Sequence, residues 1–150
     1  MSLGDFFPEE LKQNFAERNV DIGQAILIEI PDFNITHSKY VILVSKNEVK
    51  LLLAYVLINT EINDNVYPSE YLKSLHVKID KKRHTFLSYD SWVNCSEIKE
   101  IESLKVIKLL KDKPERVLGN VHIDILKKIH STITIAKTIN AATKKKFGFL

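Results

Sequence analysis

Three apolar runs dominate the first half of the chain: Gln24 to Ile30, Tyr40 to Ser45 and Lys50 to Ile58. Each has strand length and is rich in Ile, Val and Leu. Each is bounded by turn-formers, at Pro31-Asp32, Lys46-Asn47 and Asn63-Asp64-Asn65. Three strands in close succession with short links pair antiparallel, because parallel pairing needs longer crossovers. Ahead of them, Pro8 to Arg18 begins with proline and two acids and places Leu11 and Phe15 four apart, the pattern of a short helix. Leu75 to Ile79 alternates apolar and polar residues as a half-buried strand does, after a brief helix or turn at Pro68 to Leu72. Thr85-Phe-Leu87 reads as a short strand, Ser96 to Ile101 as one helical turn, and Leu104 to Leu110 as a further strand. Leu126, Ile129, Ile133 and Ala136, at spacings of three and four, predict a long closing helix with Asn120 as its N-cap. The resulting class is α+β, mainly β: a small, strongly bent antiparallel sheet or barrel with helices at both ends.

With 150 residues, one domain is expected, arranged as an N-terminal helix and arm (1–19), the barrel with its closing helix (20–140) and a basic tail (141–150). No apolar run is long enough to span a bilayer, so no membrane contact is expected. A single cysteine, Cys95, rules out an internal disulfide and a multi-cysteine zinc site, and the chain reads as cytoplasmic. Charge is distributed unevenly: residues 1–70 carry 5 basic and 11 acidic side chains, residues 71–150 carry 17 and 8. Of the 22 basic residues only three, Arg18, Arg83 and Arg116, are arginine. That matters because arginine grips phosphate through a planar fork, and lysine acts only as a point charge.

No phosphate-binding glycine motif and no His-Glu-x-x-His pattern occurs, and no third ligand accompanies any histidine pair; neither a metal nor another cofactor is expected. His37 and Lys39 lie in a loop entering the second strand, and Thr60 follows the third. If the fold brings these segments together, they suit a phosphodiester: lysine offsets negative charge, threonine donates a hydrogen bond and histidine moves a proton. His84, after Lys81-Lys82-Arg83, belongs to an exposed turn; His122 and His130 are surface residues of the closing helix. In Asp90 to Cys95, Asp90 or Ser91 caps a turn while Trp92 and Val93 enter the core, and Cys95 lacks an activating histidine nearby.

The order of these pieces resembles the MazF/PemK-like toxins of bacterial toxin-antitoxin systems. The matching stretches are Asp21-Ile-Gly23, Lys39 to Ser45, Asn59-Thr60, Thr85-Phe-Leu87 with Asp90 to Cys95, Ile101 to Leu110, and Leu118-Gly119-Asn120 with the helix that follows. The resemblance covers roughly residues 20–136 and implies a Src-homology-3-like barrel. It further implies a homodimer, an antitoxin protein as partner and metal-independent, sequence-selective cleavage of RNA to a cyclic phosphate and a 5'-hydroxyl. Thr60 matches the family's threonine or serine after the third strand. The family's loop Arg-Pro pair is replaced by Lys39-Tyr40, so the resemblance implies either a divergent ribonuclease with His37, Lys39 and Thr60 as its catalytic set or a barrel whose chemistry is lost or replaced.

Lys81, Lys82 and Arg83, together with Lys144, Lys145 and Lys146 of the tail, are the expected nucleic-acid contacts, with Phe147 and Phe149 as stacking faces or as aromatics packed on the body. The alternative is a barrel that acts by binding protein. It would either poison gyrase as CcdB-like toxins do, through an aromatic-glycine tail, or sequester a partner, with the acidic first helix masking a basic face.

Overall fold

The computed structural model describes the backbone of residues 8–32 and 35–150 and the side chains of 8–29 and 38–150. After Pro8, two acids open helix α1 (Glu9–Asn19). The apolar runs become β1 (Gln24–Asp32), β2 (Ile35–Asn47) and β3 (Leu52–Asn59). Then follow α2 (Glu70–Ser74), capped by the Ser69 hydroxyl on the Leu72 amide, and β4 (His76–Ile79). The chain continues through β5 (Ser91–Glu102), α3 (Ser103–Asp112), a 3-10 turn at Pro114–Arg116 and β6 (Val117–Asn120). It ends with α4 (Ile123–Ile135) and α5 (Ala141–Lys146).

All six strands join one antiparallel sheet in the order β4-β5-β3-β2-β1-β6, curled into a half-barrel with β4 and β6 as its edges. Three irregularities in the ladder accompany the curl. One extra residue, Val44, is accommodated in β2 and one, Leu118, in β6; four residues of β5, Cys95 to Ile98, lie opposite Val56 alone. Such bulges bend a strand and increase its twist.

The central strands are buried on both faces, which is why they read as continuous apolar runs. Ala25, Ile42, Val44, Ala54, Val56 and Ile58 face one core, completed by Ile125, Ile129 and Ile133 of α4 and by Phe147 and Phe149. Ile26, Ile28, Val41, Leu43, Leu53 and Tyr55 face the other, covered by Ala16 of α1 and by Val106 and Leu110 of α3. Glu9 bonds Lys111 at 2.8 Å where α1 meets α3. At Gly23 the backbone takes φ +90°, its N–H bonds Leu43 O at 2.7 Å and its carbonyl accepts from Val121 N at 2.8 Å. A Cβ there would meet Leu126 Cδ2 at 3.1 Å, so glycine is required on two grounds.

Several expectations are corrected. Residues 85–87 form turns, with Leu87 buried and Thr85 exposed, because the segment caps the core without pairing to a strand. Ser96 to Ile101 is strand: Ile98 packs on the α4 side of the sheet and Ile101 on the α1 and α3 side, so the two apolar faces of one strand give a spacing of three that imitates a helical period. Leu104 to Leu110 is helix, with Val106 and Leu110 buried four apart and Lys105 and Lys108 exposed three apart. The N-cap of α4 is His122, whose Nδ1 accepts from the Asp124 amide at 3.2 Å; Asn120 lies in β6, paired with Gln24.

Candidate functional site

The antiparallel register of β2 and β3 pairs Val41 with Leu57 and, continued outward, sets Lys39 across from Asn59. Lys39 Nζ donates to Asn59 Oδ1 at 3.3 Å, and Thr60 follows, exposed, where β3 ends. Lys39 and Thr60 therefore come together, on one wall of a groove of about 1270 Å³. His37 lies two residues upstream on β2, its backbone paired with Ile30; its side chain lies outside the described residues.

The loop after Thr60 forms the rim. Asn63 organises it by accepting at its side-chain oxygen from Asn65 N (2.9 Å) and at its carbonyl from Tyr67 N (2.8 Å). Tyr67 then anchors the rim to the sheet, since its hydroxyl accepts from Asn94 Nδ2 at 2.8 Å. Asn94 is buried, only 3% exposed, and its Oδ1 accepts from the Ser96 amide (3.0 Å) and hydroxyl. The opposite wall carries Leu87, Ser88 and Tyr89; Ser91 Oγ donates to Tyr89 O at 2.9 Å. Glu97 and Lys99 of β5, a pair at 3.5 Å, complete the lining. Burial, with Glu97 adding a smaller effect, holds the Tyr55 hydroxyl above its ordinary titration range.

This arrangement can hold an extended polar ligand. Tyr40, Tyr67 and Tyr89, the amides of Asn59 and Asn63, the cations Lys39 and Lys99 and the carboxylates Glu61, Asp64 and Glu97 line the groove, with Asp64 paired to Lys73 at 3.0 Å. Sequence reasoning missed Asn59, Tyr67, Tyr89 and Asn94. The available signal was the polar segment from Asp90 to Cys95, whose reading as a capped turn holds for Asp90, which accepts from Lys81 N at 2.8 Å. Beyond it, Ser91 and Asn94 belong to a strand facing the groove.

The remaining cationic positions lie apart from the groove lining. Arg83 is clasped by Asp80, with Nη2–Oδ1 at 2.8 Å and Nε–Oδ1 at 3.0 Å, while Lys81 and Lys82 are exposed on the same turn. That grip holds the Asp80 carboxyl well below the usual range. His84, expected to be exposed, is only 1% exposed: Nδ1 donates to Asp80 O at 2.7 Å and Nε2 accepts from His122 N at 3.0 Å, so the ring joins the turn to the start of α4. The tail is ordered against the body. Lys144 is buried and donates to Thr134 O at 2.9 Å, Lys146 pairs with Glu100 at 2.8 Å, and Lys145 alone of the three is exposed. Phe147 and Phe149 are core residues, so the packed-aromatic alternative replaces the stacking one. Burial pushes the Cys95 thiol up to about 12, which leaves no thiolate for nucleophilic work near neutral pH.

No protein-family model and no curated protein sequence matches the chain. Among solved structures, the chain is similar to one in the crystal structure of MazE-MazF (Form-III) from Deinococcus radiodurans, at 14% identity and a TM-score of 0.49, over 75% of this chain and 91% of that one.

Proposed function

We propose that the groove binds single-stranded RNA and that the protein is a toxin of the MazF/PemK-like kind, a metal-independent endoribonuclease. The observation that carries this reading is that Lys39 and Thr60, twenty-one positions apart, line one groove with Lys39 held by Asn59. In the proposed reaction an RNA 2'-hydroxyl oxygen attacks the adjacent phosphorus and the bond to the 5'-oxygen breaks, leaving a cyclic phosphate and a 5'-hydroxyl. Lys39 offsets the charge that builds on the phosphorane oxygens as a point charge, Thr60 donates a hydrogen bond to them, His37 takes the 2'-hydroxyl proton, and a proton from solvent water completes the departing 5'-hydroxyl. Tyr40, Tyr67 and Tyr89 offer stacking faces for unpaired bases. The exposed Lys81, Lys82 and Lys145 supply phosphate contacts outside the groove. A homodimer and an antitoxin partner complete the reading that the family resemblance suggests.

A second reading, binding of a protein without chemistry, is favoured by the acid excess of the lining: Glu61, Asp64 and Glu97 against Lys39 and Lys99. It does not run through the tail, because Phe147 and Phe149 are core residues and a gyrase contact of the CcdB kind would have to expose them. Incubation with a mixed RNA substrate in EDTA separates the two. Cleavage to 5'-hydroxyl ends, detected by direct end-labelling with a polynucleotide kinase, is the expected result. Intact RNA, or ends carrying 5'-phosphate, would exclude the proposed chemistry.

A further inference from the structure

Behind the rim of the groove lies a histidine that the proposed reaction does not use. His76 of β4 is only 6% exposed and pairs with Asn94 in the register of β4 and β5. Its ring meets that of Tyr67 edge-on, with centroids 4.4 Å apart, and Tyr67 in turn ties the rim to Asn94 through its hydroxyl. Nδ1 donates to Leu72 O at 3.0 Å, which places the proton of the neutral ring on that nitrogen. Nε2 is buried and has no hydrogen-bond partner among the described residues. A neutral ring leaves a lone pair there; a protonated ring would bury an N–H and a positive charge without an acceptor, at much greater cost. The charges nearby give no relief. Lys73 of α2 is taken by Asp64 of the rim at 3.0 Å, Lys78 of β4 faces Asp90 at 4.0 Å, and Glu97 of β5 is paired with Lys99 at 3.5 Å. Lys127 and Lys128 of α4 share a cleft with His76 and add positive charge only.

We propose that neutral His76 is the latch of the groove rim: its ring holds Tyr67 in place, and its protonation releases Tyr67 and opens the rim. His76 touches no ligand in this role; it is a positioning residue that acts through Tyr67. The direction follows from linkage. With the rim closed, burial lowers the His76 pKa from the ordinary 6.5, the backbone bonds at Leu72 and Lys73 opposing in part. With Tyr67 displaced the ring meets water and titrates in its ordinary range. The open form therefore binds the proton more readily, and acid favours it. Releasing one loop costs less than unfolding the sheet, so the opening is local. The inference rests on the proposed function only in counting Tyr67 as part of the ligand surface; the latch itself needs no RNA.

Hydrogen exchange on the full chain tests it, as opening constants corrected for the intrinsic rate at each pH. The reporters are the Asn94 side-chain amide, bonded to Tyr67, and the Tyr67 backbone amide, which donates to Asn63 O at 2.8 Å. Between about pH 7.5 and pH 5.5 these constants are expected to rise at least about threefold and at most about tenfold, the limit for a histidine released to its ordinary range. His76→Phe keeps a ring against Tyr67 and has no nitrogen to protonate, and Leu72 O retains the Leu75 amide as a donor; its constants are expected to stay within about twofold. Tyr67→Phe, which keeps the ring and loses the bond to Asn94, is expected to open more at both pH values and to keep the rise. No rise in the wild type, or an equal rise in His76→Phe, would overturn the latch. So would rim exchange no faster than that of the core amide of Ile42, which would leave global unfolding as the only opening, or slower rim exchange in acid, which would mean that the Tyr67 face holds the protonated ring. A saturating ten-nucleotide oligouridylate at the higher pH is expected to slow rim exchange; failure of that arm alone counts against RNA in the groove, and the pH comparison decides the latch.

Discussion

His76 shows how much one side chain can say about its surroundings. It is 6% exposed, its Nδ1 donates to Leu72 O at 3.0 Å, its ring stacks edge-on against Tyr67 at 4.4 Å, and its Nε2 is buried without a partner. Burial lowers its pKa below the ordinary 6.5, the backbone carbonyl opposing in part. The folded state thus binds the proton less readily than the unfolded chain, and stability must fall as pH drops through the unfolded value. Denaturant midpoints should decline between about pH 7 and pH 5, and the His76→Phe variant should show a flatter decline while keeping the ring packing against Tyr67. An unchanged pH profile in the variant would remove His76 as the cause. The alternation of Leu75 to Ile79 made the strand legible in the sequence, but not the burial of His76, which depends on Tyr67 and Asn94 arriving from elsewhere in the chain.

Elements were legible wherever their period was undisturbed. Strands β1, β2 and β3 and helices α1 and α4 follow local patterning, and the pairing of consecutive strands that joins Lys39 to Asn59 follows from their short links. The misreadings have local physical causes. In β5 both faces are apolar, at Ile98 and Ile101, and β-branched Val106 and Ile107 disguised a helix whose lysines recur every third position. The tail was legible as to composition only. Its role depends on Asn47 Nδ2 reaching Lys146 O at 2.8 Å, on the Ser45 hydroxyl donating to Phe147 O, and on both phenylalanines entering the α4 side of the core. Replacing a buried phenylalanine by alanine costs about 3–5 kcal/mol, so Phe149→Ala should shift the urea midpoint sharply downward at constant m-value. A change under about 1 kcal/mol would mean that the tail is not part of the core.

For the whole molecule, the sheet buries both faces and leaves polar and charged side chains to its margins. One margin is the groove beside Ser38 to Tyr40 of β2 and the end of β3, with its tyrosines, amides and mixed charge. Lysine bias gives this division its meaning. Arg83 is committed to Asp80 and Arg116 reaches Leu27 O and Glu29, so neither lies in the groove, where Lys39 stands at the position that the family resemblance gives to arginine. In the proposed reaction Lys39 acts on a phosphodiester there. Its most direct test is the single-turnover cleavage rate of an RNA substrate in EDTA, wild type against Lys39→Ala. A loss on the order of a hundredfold or more with RNA affinity nearly unchanged is predicted, as for removal of a group that stabilises transition-state charge. Undiminished cleavage by the variant would exclude Lys39 from the reaction.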